Sequence, residues 1–295
     1  MVDNRYEIFI KTVELGSITK AALAMSYTQS GVSHAIAALE QEVGFSLLIR
    51  NKRGVELTAR GEQIFGEIQA LVNQQRRFTQ TIAAVNHAIA GTIRVGTFAS
   101  VSAHWLPTLI QKFQARHPQT KFELLDGSYD EIKLWIDEGR IDCGFLTEPN
   151  IGTLNFHPLI KDHMRVLMPA NHPLREKASI SFSDIRSEAF LLQAKGCSDE
   201  AVFRMPNLGK EPIPVPYVLN SDIAIMSMVE KGFGISILSE LVLQGHPFNI
   251  CIKPLEEPCY RVLGIAFPQM KDVSPVTKAF LEFIPTSSLF AAKMD

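Results

Sequence analysis

Residues 17–60 read SITKAALAMSYTQSGVSHAIAALEQEVGFSLLIRNKRGVELTAR. Two short helix signals flank a break, and a cationic RNKR loop follows. Ser17 is placed to cap a helix over Ile18–Met25, with Ala21, Ala22 and Met25 on one face. Small alanines on that face let a second helix cross closely. Ser26-Tyr27 interrupts the pattern. Thr28 then suits the cap of a second helix whose buried stripe is Val32, Ile36 and Leu39. Its other side carries Thr28, Gln29, Ser30, Ser33 and His34, short donors and acceptors that can reach base edges or phosphates. No Asp or Glu occurs from Leu15 to Leu39, so no carboxylate would oppose a phosphate backbone there. From Arg50 to Arg60 four Arg or Lys stand against one Glu, a local excess of +3. A helix pair followed by a basic hairpin is the layout of a winged helix-turn-helix. Arg50, Lys52 and Arg53 would grip backbone phosphate or the minor groove.

The run from Ala21 to Gly61 resembles the N-terminal module of the LysR-type transcriptional regulators. The matching pieces are Ala21-Ala22, Thr28-Gln29-Ser30, Ser33, Leu39-Glu40, Gly44, Arg50, Arg53, Leu57-Thr58 and Gly61. The length and the layout after residue 90 fit as well, so the resemblance spans essentially the whole chain. Gly31 stands where the family usually has alanine, at an expected cost of roughly 0.5–1 kcal/mol in helix stability. Ile49 stands where phenylalanine is usual.

The wider composition sets limits. The chain has 295 residues, long enough for two or three domains, and a net charge of only −2, so any DNA binding must be local. Charges interrupt the first 17 residues every few positions, which excludes a signal-peptide core, and no run approaches a membrane span. Cys143, Cys197, Cys251 and Cys259 show no zinc spacing, and His157, His163 and His172 are irregularly placed. A reduced cytoplasm is the expected compartment, with no cofactor and no metal.

A helix is expected from about Thr58 to Ile89. Ile64, Ile68, Leu71, Phe78, Ile82, Val85 and Ile89 alternate by four and three, with Gln75 filling the one gap. That is a heptad seam with one polar member, suited to pairing with a second chain. The resemblance implies a dimer through this helix, and a tetramer through further contacts of the C-terminal domain. Gly91 is expected to end the helix and mark the linker.

Beyond Gly91 the texture becomes α/β. Strand signals at Thr92–Phe98, Lys121–Leu125 and Cys143–Leu146 alternate with helix signals at Leu106–Arg116 and Asp130–Glu138, which favours a parallel sheet. A second set follows: strands Arg165–Pro169, Phe190–Leu192, Tyr217–Leu219 and Ile235–Leu238, with helices around Ser198–Met205 and over Asp222–Lys231. Arg261–Phe267 reads as a strand leading back, and Thr277–Ile284 as a closing helix. The expected division is residues 1–58 for the winged helix, 59–90 for the linker helix and 91–295 for a two-lobed α/β domain. Lobe I would comprise about 91–161 and 267–295, and lobe II about 162–266. The resemblance implies that this is a periplasmic-binding-protein-like effector domain.

Ligands of open α/β sheets sit beyond the carboxyl ends of the strands. Those positions here hold Ser100, Val101 and Ser102, then Ser128, Thr147, Gln193, Gly196, Cys197, Ser198 and Ser221. Hydroxyls and helix N–H groups suit a small anionic metabolite, although each serine taken singly is more often a helix cap. By resemblance, Ser100 and Ser128 fall where the family places effector contacts. Cys197 lies beside Lys195, and a cation lowers a thiol pKa, so a redox-sensing regulator is one alternative. Asp199 and Glu200 oppose it, and no second cysteine lies within the next fifty residues. An enzyme of the two-lobed fold is another alternative, but no Ser-His-Asp order, phosphate loop or carboxylate pair stands out. The expected partners are double-stranded operator DNA, a small-molecule effector and further copies of the chain. RNA polymerase is a further candidate, and a membrane is not.

Overall fold

The helix pair owes its shape to its caps. The structure, a computed structural model, describes residues 4–51, 54–194 and 214–285. They divide into two compact units at Ile89–Ala90, with Asp137–Arg140 clustering with the first.

In the first unit α1 spans Arg5–Leu15, α2 Ile18–Met25 and α3 Gln29–Val43. Ser17 Oγ accepts from the Lys20 amide at 3.3 Å, and Thr28 Oγ1 accepts from the Gly31 amide at 3.1 Å. The Ser26-Tyr27 break is a Schellman end. Ser26 is left-handed at φ 60°, its amide donates to Leu23 O, and the Tyr27 amide reaches back to Ala22 O at 2.8 Å. Ala21, Ala22, Val32, Ile36 and Leu39 are buried, with Phe9 and Leu47 completing the core.

The wing is an antiparallel pair, β1 (Leu48–Asn51) and β2 (Gly54–Leu57). Glu40 on α3 receives the Leu47 and Leu48 amides at 2.7 and 3.2 Å, so one carboxylate ties α3 to the root of the wing. The tip of β2 lies against the α1–α2 turn. The Val55 amide donates to Gly16 O, and a Cβ on Gly54 would stand 2.4 Å from that same oxygen, which only glycine permits.

Thr58 caps α4 (Ala59–Val85), accepting from the Gly61 amide at 2.9 Å. The expected extension to Ile89 does not occur. His87 turns left-handed at φ 60°, and the His87 and Ala88 amides donate to Ala84 O and Ala83 O, a Schellman stop built without glycine. Gly91 opens a strand instead. The heptad seam also divides. Ile68 and Val72 are buried in the core of this unit, with Ile64 and Phe65 packed against it, whereas Leu71, Phe78, Ile82 and Val85 lie 48–73% exposed.

In the second unit β3 (Gly91–Thr97) pairs parallel with both β4 (Thr120–Asp126) and β5 (Cys143–Thr147), as the βαβαβ pattern requires. Between them run α5 (Ala99–His104), α6 (Leu106–Arg116, with proline in its first turn) and α7 (Tyr129–Asp137). The expected strand at Arg165–Pro169 is only the end of β6, a 15-residue strand from Asn155 to Pro169. Its first half lies beside β11 (Tyr260–Phe267), which also pairs with β5. Its second half lies between β9 (Ser236–Ser239) and β10 (Ile250–Pro254), the latter a strand that the sequence reading passed over. One strand thus belongs to two sheets. Beyond β9, Leu191 of β7 (Leu191–Gln193) donates to Ile235 O, and β7 runs parallel to β8 (Tyr217–Leu219). Among the described residues four further helices belong to the unit: α8 (Phe182–Ile185), α9 (Asp222–Glu230), α10 (Glu240–Leu243) and α11 (Pro275–Phe283). The helix expected around Ser198–Met205 lies outside the described residues.

Candidate functional site

On the first unit, α3 presents Gln29, Ser30 and His34 to solvent, with Thr28 exposed at its cap and Ser33 half-buried beside it. The register that buries Val32, Ile36 and Leu39 leaves these polar residues on the opposite face. Thr28 Oγ1 and Ser30 Oγ stand 3.1 Å apart, so the cap and the first polar residue share a hydrogen bond. A Cβ on Gly31 would come within 3.1 Å of Thr28 Oγ1, a crowding that the glycine relieves. Arg50 is exposed on β1. Lys52 and Arg53 lie outside the described residues.

In the second unit the strand ends reveal how each hydroxyl is used. Ser128 takes the cap role: its amide and its hydroxyl both donate to Glu131 Oε2 at 2.8 Å, at the start of α7. Ser221 caps α9 through the Ala224 amide at 3.3 Å. Thr147 is buried and accepts from Asn150 Nδ2 at 2.8 Å. Ser102 bonds Thr97 Oγ1 at 3.0 Å and donates to Asp126 at 3.3 Å. Val101 has no surface left to water, so neither its side chain nor its backbone is open to a ligand in this arrangement. Ser100 differs from the rest. It is 6% exposed, and its hydroxyl has no hydrogen-bond partner among the described residues. Gly196, Cys197 and Ser198 lie outside the described residues. Two of the described cysteines are held as thiols: burial, then the Asp142 charge, pushes the Cys143 thiol well up, and burial raises that of Cys259.

On lobe II, Gln193 at the end of β7 donates to Asp222 in the first turn of α9. Burial raises the Asp222 pKa, only partly opposed by the Arg261 charge and by nearby His246.

Sequence reasoning missed the group between the lobes. Arg261, at the start of β11, is directly opposite Asp162 in β6. Arg261 Nε donates to Asp162 Oδ2 at 2.9 Å, Nη1 to the Tyr129 hydroxyl at 2.7 Å and Nη2 to Ser239 Oγ at 2.8 Å. The Leu241 amide donates to the other Asp162 oxygen at 3.0 Å. Phe98 lies under the guanidinium, 5.6 Å from ring centre to Cζ, and packs edge-on to Tyr129. Burial works against the Arg261 charge, but Tyr129 and Asp162 outweigh it and hold its pKa above the usual value. A lone arginine in the otherwise apolar YRVLGIAF strand was the available signal.

Two family profiles cover this chain. Residues 4–62 match the bacterial regulatory helix-turn-helix protein, lysR family, and residues 86–287 match the LysR substrate binding domain. The HTH-type transcriptional regulator YvbU of Bacillus subtilis is 33% identical over 298 residues, covering 99% of this chain and 100% of that protein. Full-length OxyR from Pseudomonas aeruginosa, in a variant form, superposes with a TM-score of 0.76 at 23% identity, over 100% of this chain and 98% of that one. CbnR complexed with its target DNA gives 0.66 at 20% identity, over 98% and 100%.

The Asp222 carboxyl gives a test of the lobe II geometry. Its folded pKa stands above its unfolded one, so its contribution to stability is full below the ordinary carboxylate pKa. That contribution is lost as pH rises through the folded value. Asp222→Asn keeps the uncharged form throughout. Its melting temperature should exceed the parent's at pH 7, and the difference should vanish below about pH 4. Equal melting curves at pH 7 would show that Asp222 pays no burial cost.

With both profiles matched and a relative covering its whole length, the chain belongs to the LysR family and is a ligand-responsive, DNA-binding transcriptional regulator.

Proposed function

We propose that the regulator works in the cytoplasm without catalysis, reads DNA with α3 and the wing, and is switched by a small metabolite held between its effector lobes. The observation that carries the DNA reading is the acid-free polar face of α3, with the exposed Arg50 on the adjoining wing. Thr28, Gln29, Ser30, Ser33 and His34 face the groove. Arg50, Lys52 and Arg53 contact the backbone or the minor groove. CbnR, a relative in fold, is described in complex with its target DNA, which fits the same assignment.

Ser100 supplies lobe I's free hydroxyl to the effector, and Gln193 with Asp222 supplies the edge of lobe II. Because most of the other hydroxyls are held locally, an anionic group on the effector belongs beside Ser100. A hydrogen-bond donor on the effector belongs beside Asp222. Pairing through the exposed half of the α4 seam brings two reading heads onto one duplex, as dimeric helix-turn-helix proteins require.

Three measurements test this. On a duplex recovered by selection from random-sequence DNA, Arg50→Ala should weaken binding to all sequences and reduce the salt slope by about 0.9, one phosphate's worth. Gln29→Ala should instead relax discrimination at one position by roughly 1–3 kcal/mol. An unchanged salt slope for Arg50→Ala would remove the wing from the DNA interface.

For assembly, Phe78→Glu combined with Ile82→Glu should give monomers by sedimentation and lose high-affinity DNA binding, with the melting temperature largely kept. Dimers surviving in that variant would place self-association elsewhere. Ile68 is the wrong target, since a charge there enters the core of its own unit.

For the effector, a panel of small carboxylates, hydroxy acids and amino acids can be screened for a shift in the melting temperature of the parent. Ser100→Phe should abolish the response to whichever compound scores, while basal DNA affinity survives. A full response in Ser100→Phe would exclude Ser100 from the site.

A further inference from the structure

We propose that Arg261 is the positioning residue that links the start of α7 in lobe I to the start of α10 in lobe II, so that a change at one is felt at the other. The proposal rests on the effector being bound between the lobes, for that is the signal it would carry.

The route is a chain of hydrogen bonds. The Tyr129 hydroxyl, at the head of α7, accepts from Arg261 Nη1 at 2.7 Å. The same guanidinium holds Asp162 Oδ2 and Ser239 Oγ. Asp162 uses its second oxygen on the Leu241 amide, in α10. Ser239 ends β9 directly before α10, and α10 packs against α5, the helix that carries Ser100. The circuit therefore starts beside Ser128 in lobe I, enters lobe II and returns to the helix of the free hydroxyl.

Its chemistry favours coupling over passive packing. The side chains of Arg261 and Asp162 are only 5% and 1% exposed. With so little water at hand, neither can replace a lost bond from solvent, so loss of one partner must be taken up by movement of the others. The guanidinium is planar and rigid, so a tilt that follows the Tyr129 hydroxyl also displaces the donors aimed at Ser239 and Asp162.

The test needs no effector and uses the full chain. Tyr129→Phe keeps the ring against Phe98 and removes only the oxygen. Ser239→Ala removes the opposite contact. These two residues share Arg261 as a common partner. If Arg261 couples them, the melting-temperature shift of the double variant will differ from the sum of the single shifts. Tyr129→Phe should also speed hydrogen exchange at the Leu241 amide, about fivefold for the loss of one buried bond. Amides of β10 paired with β6 should stay unchanged, because β10 belongs to the same lobe and holds no member of the circuit.

Additive shifts with unchanged Leu241 exchange would overturn the proposal. Faster exchange throughout lobe II would overturn it too, by showing general loosening in place of a directed link. Should Tyr129→Phe fail to fold, Ser239→Ala read at the Ile132 amide, which donates to Ser128 O on α7, tests the same link from the other end. The Ser100→Phe result concerns binding alone, whereas this experiment contains no small molecule, so either reading can fail without the other.

Discussion

Arg261 and Asp162 face each other across β11 and β6, and the effector domain is arranged around that pair. A charge removed from water costs several kcal/mol unless it is fully bonded, so the surroundings of such a pair are dictated by it. Tyr129, Ser239 and the Leu241 amide supply the required partners from both lobes. The pair also fixes register. Slipping β11 by one residue along β6 would send its side chains to the opposite face and leave two buried charges unpaired. Just beyond, the ladder shifts between Leu263 and Gly264, where His157 O lies 2.3 Å from the position of a Cβ on Gly264. The glycine lets the two strands approach closely after the ion pair has aligned them. With that register set, β6 runs on into lobe II and β11 into the sheet of lobe I.

The DNA-reading unit meets a different constraint. Its two proposed contact elements, α3 and the wing, are separated by a loop and would have to be held at one geometry to serve one duplex. Glu40 does this from α3 by accepting the Leu47 and Leu48 amides. Thr58 does it from the far side, where its amide and hydroxyl donate to Leu47 O and Ser46 O and its oxygen caps α4. A carboxylate bonded in this way faces the protein rather than the phosphates, which reconciles Glu40 with the acid-free polar face that precedes it.

Legibility followed the range of the interactions. Caps at Ser17, Thr28 and Thr58 and the parallel βαβαβ run were readable because three or four neighbouring residues decide each of them. The end of α4 was not, because a left-handed histidine, His87, stops the helix before the expected Gly91. The seam was half misread, since spacing gives a shared face but does not say whether its partner is the chain's own core, as for Ile68, or lies outside it, as for Phe78. The first half of β6, NFHPLIKDHM, was missed because its proline, histidines and charges imitate a loop. Those charges are where the strand passes from one sheet to the other. Arg261 went unremarked for the same reason: its partners lie 22, 99 and 132 residues away.

The fate of the serines bears on how a signal could be recognised. Ser128 and Ser221 close helices and Ser102 is bonded within lobe I, so an effector that recruited them would have to replace bonds already made. Such exchanges return little net free energy, because each gained contact is offset by one lost. Discrimination therefore falls to groups whose bonding a ligand can improve. Ser100 is 6% exposed with no bond to its hydroxyl among the described residues, and Asp222 is a carboxyl that burial has made reluctant to ionise. A ligand that donates to Asp222 relieves that cost only while it is bound, and only in the lobe arrangement that brings Ser100 within reach as well. Since a ligand can move the protein no further than its preference between the two arrangements allows, an effector bound as proposed would draw its regulatory range from these few groups rather than from the number of hydroxyls on the strand ends.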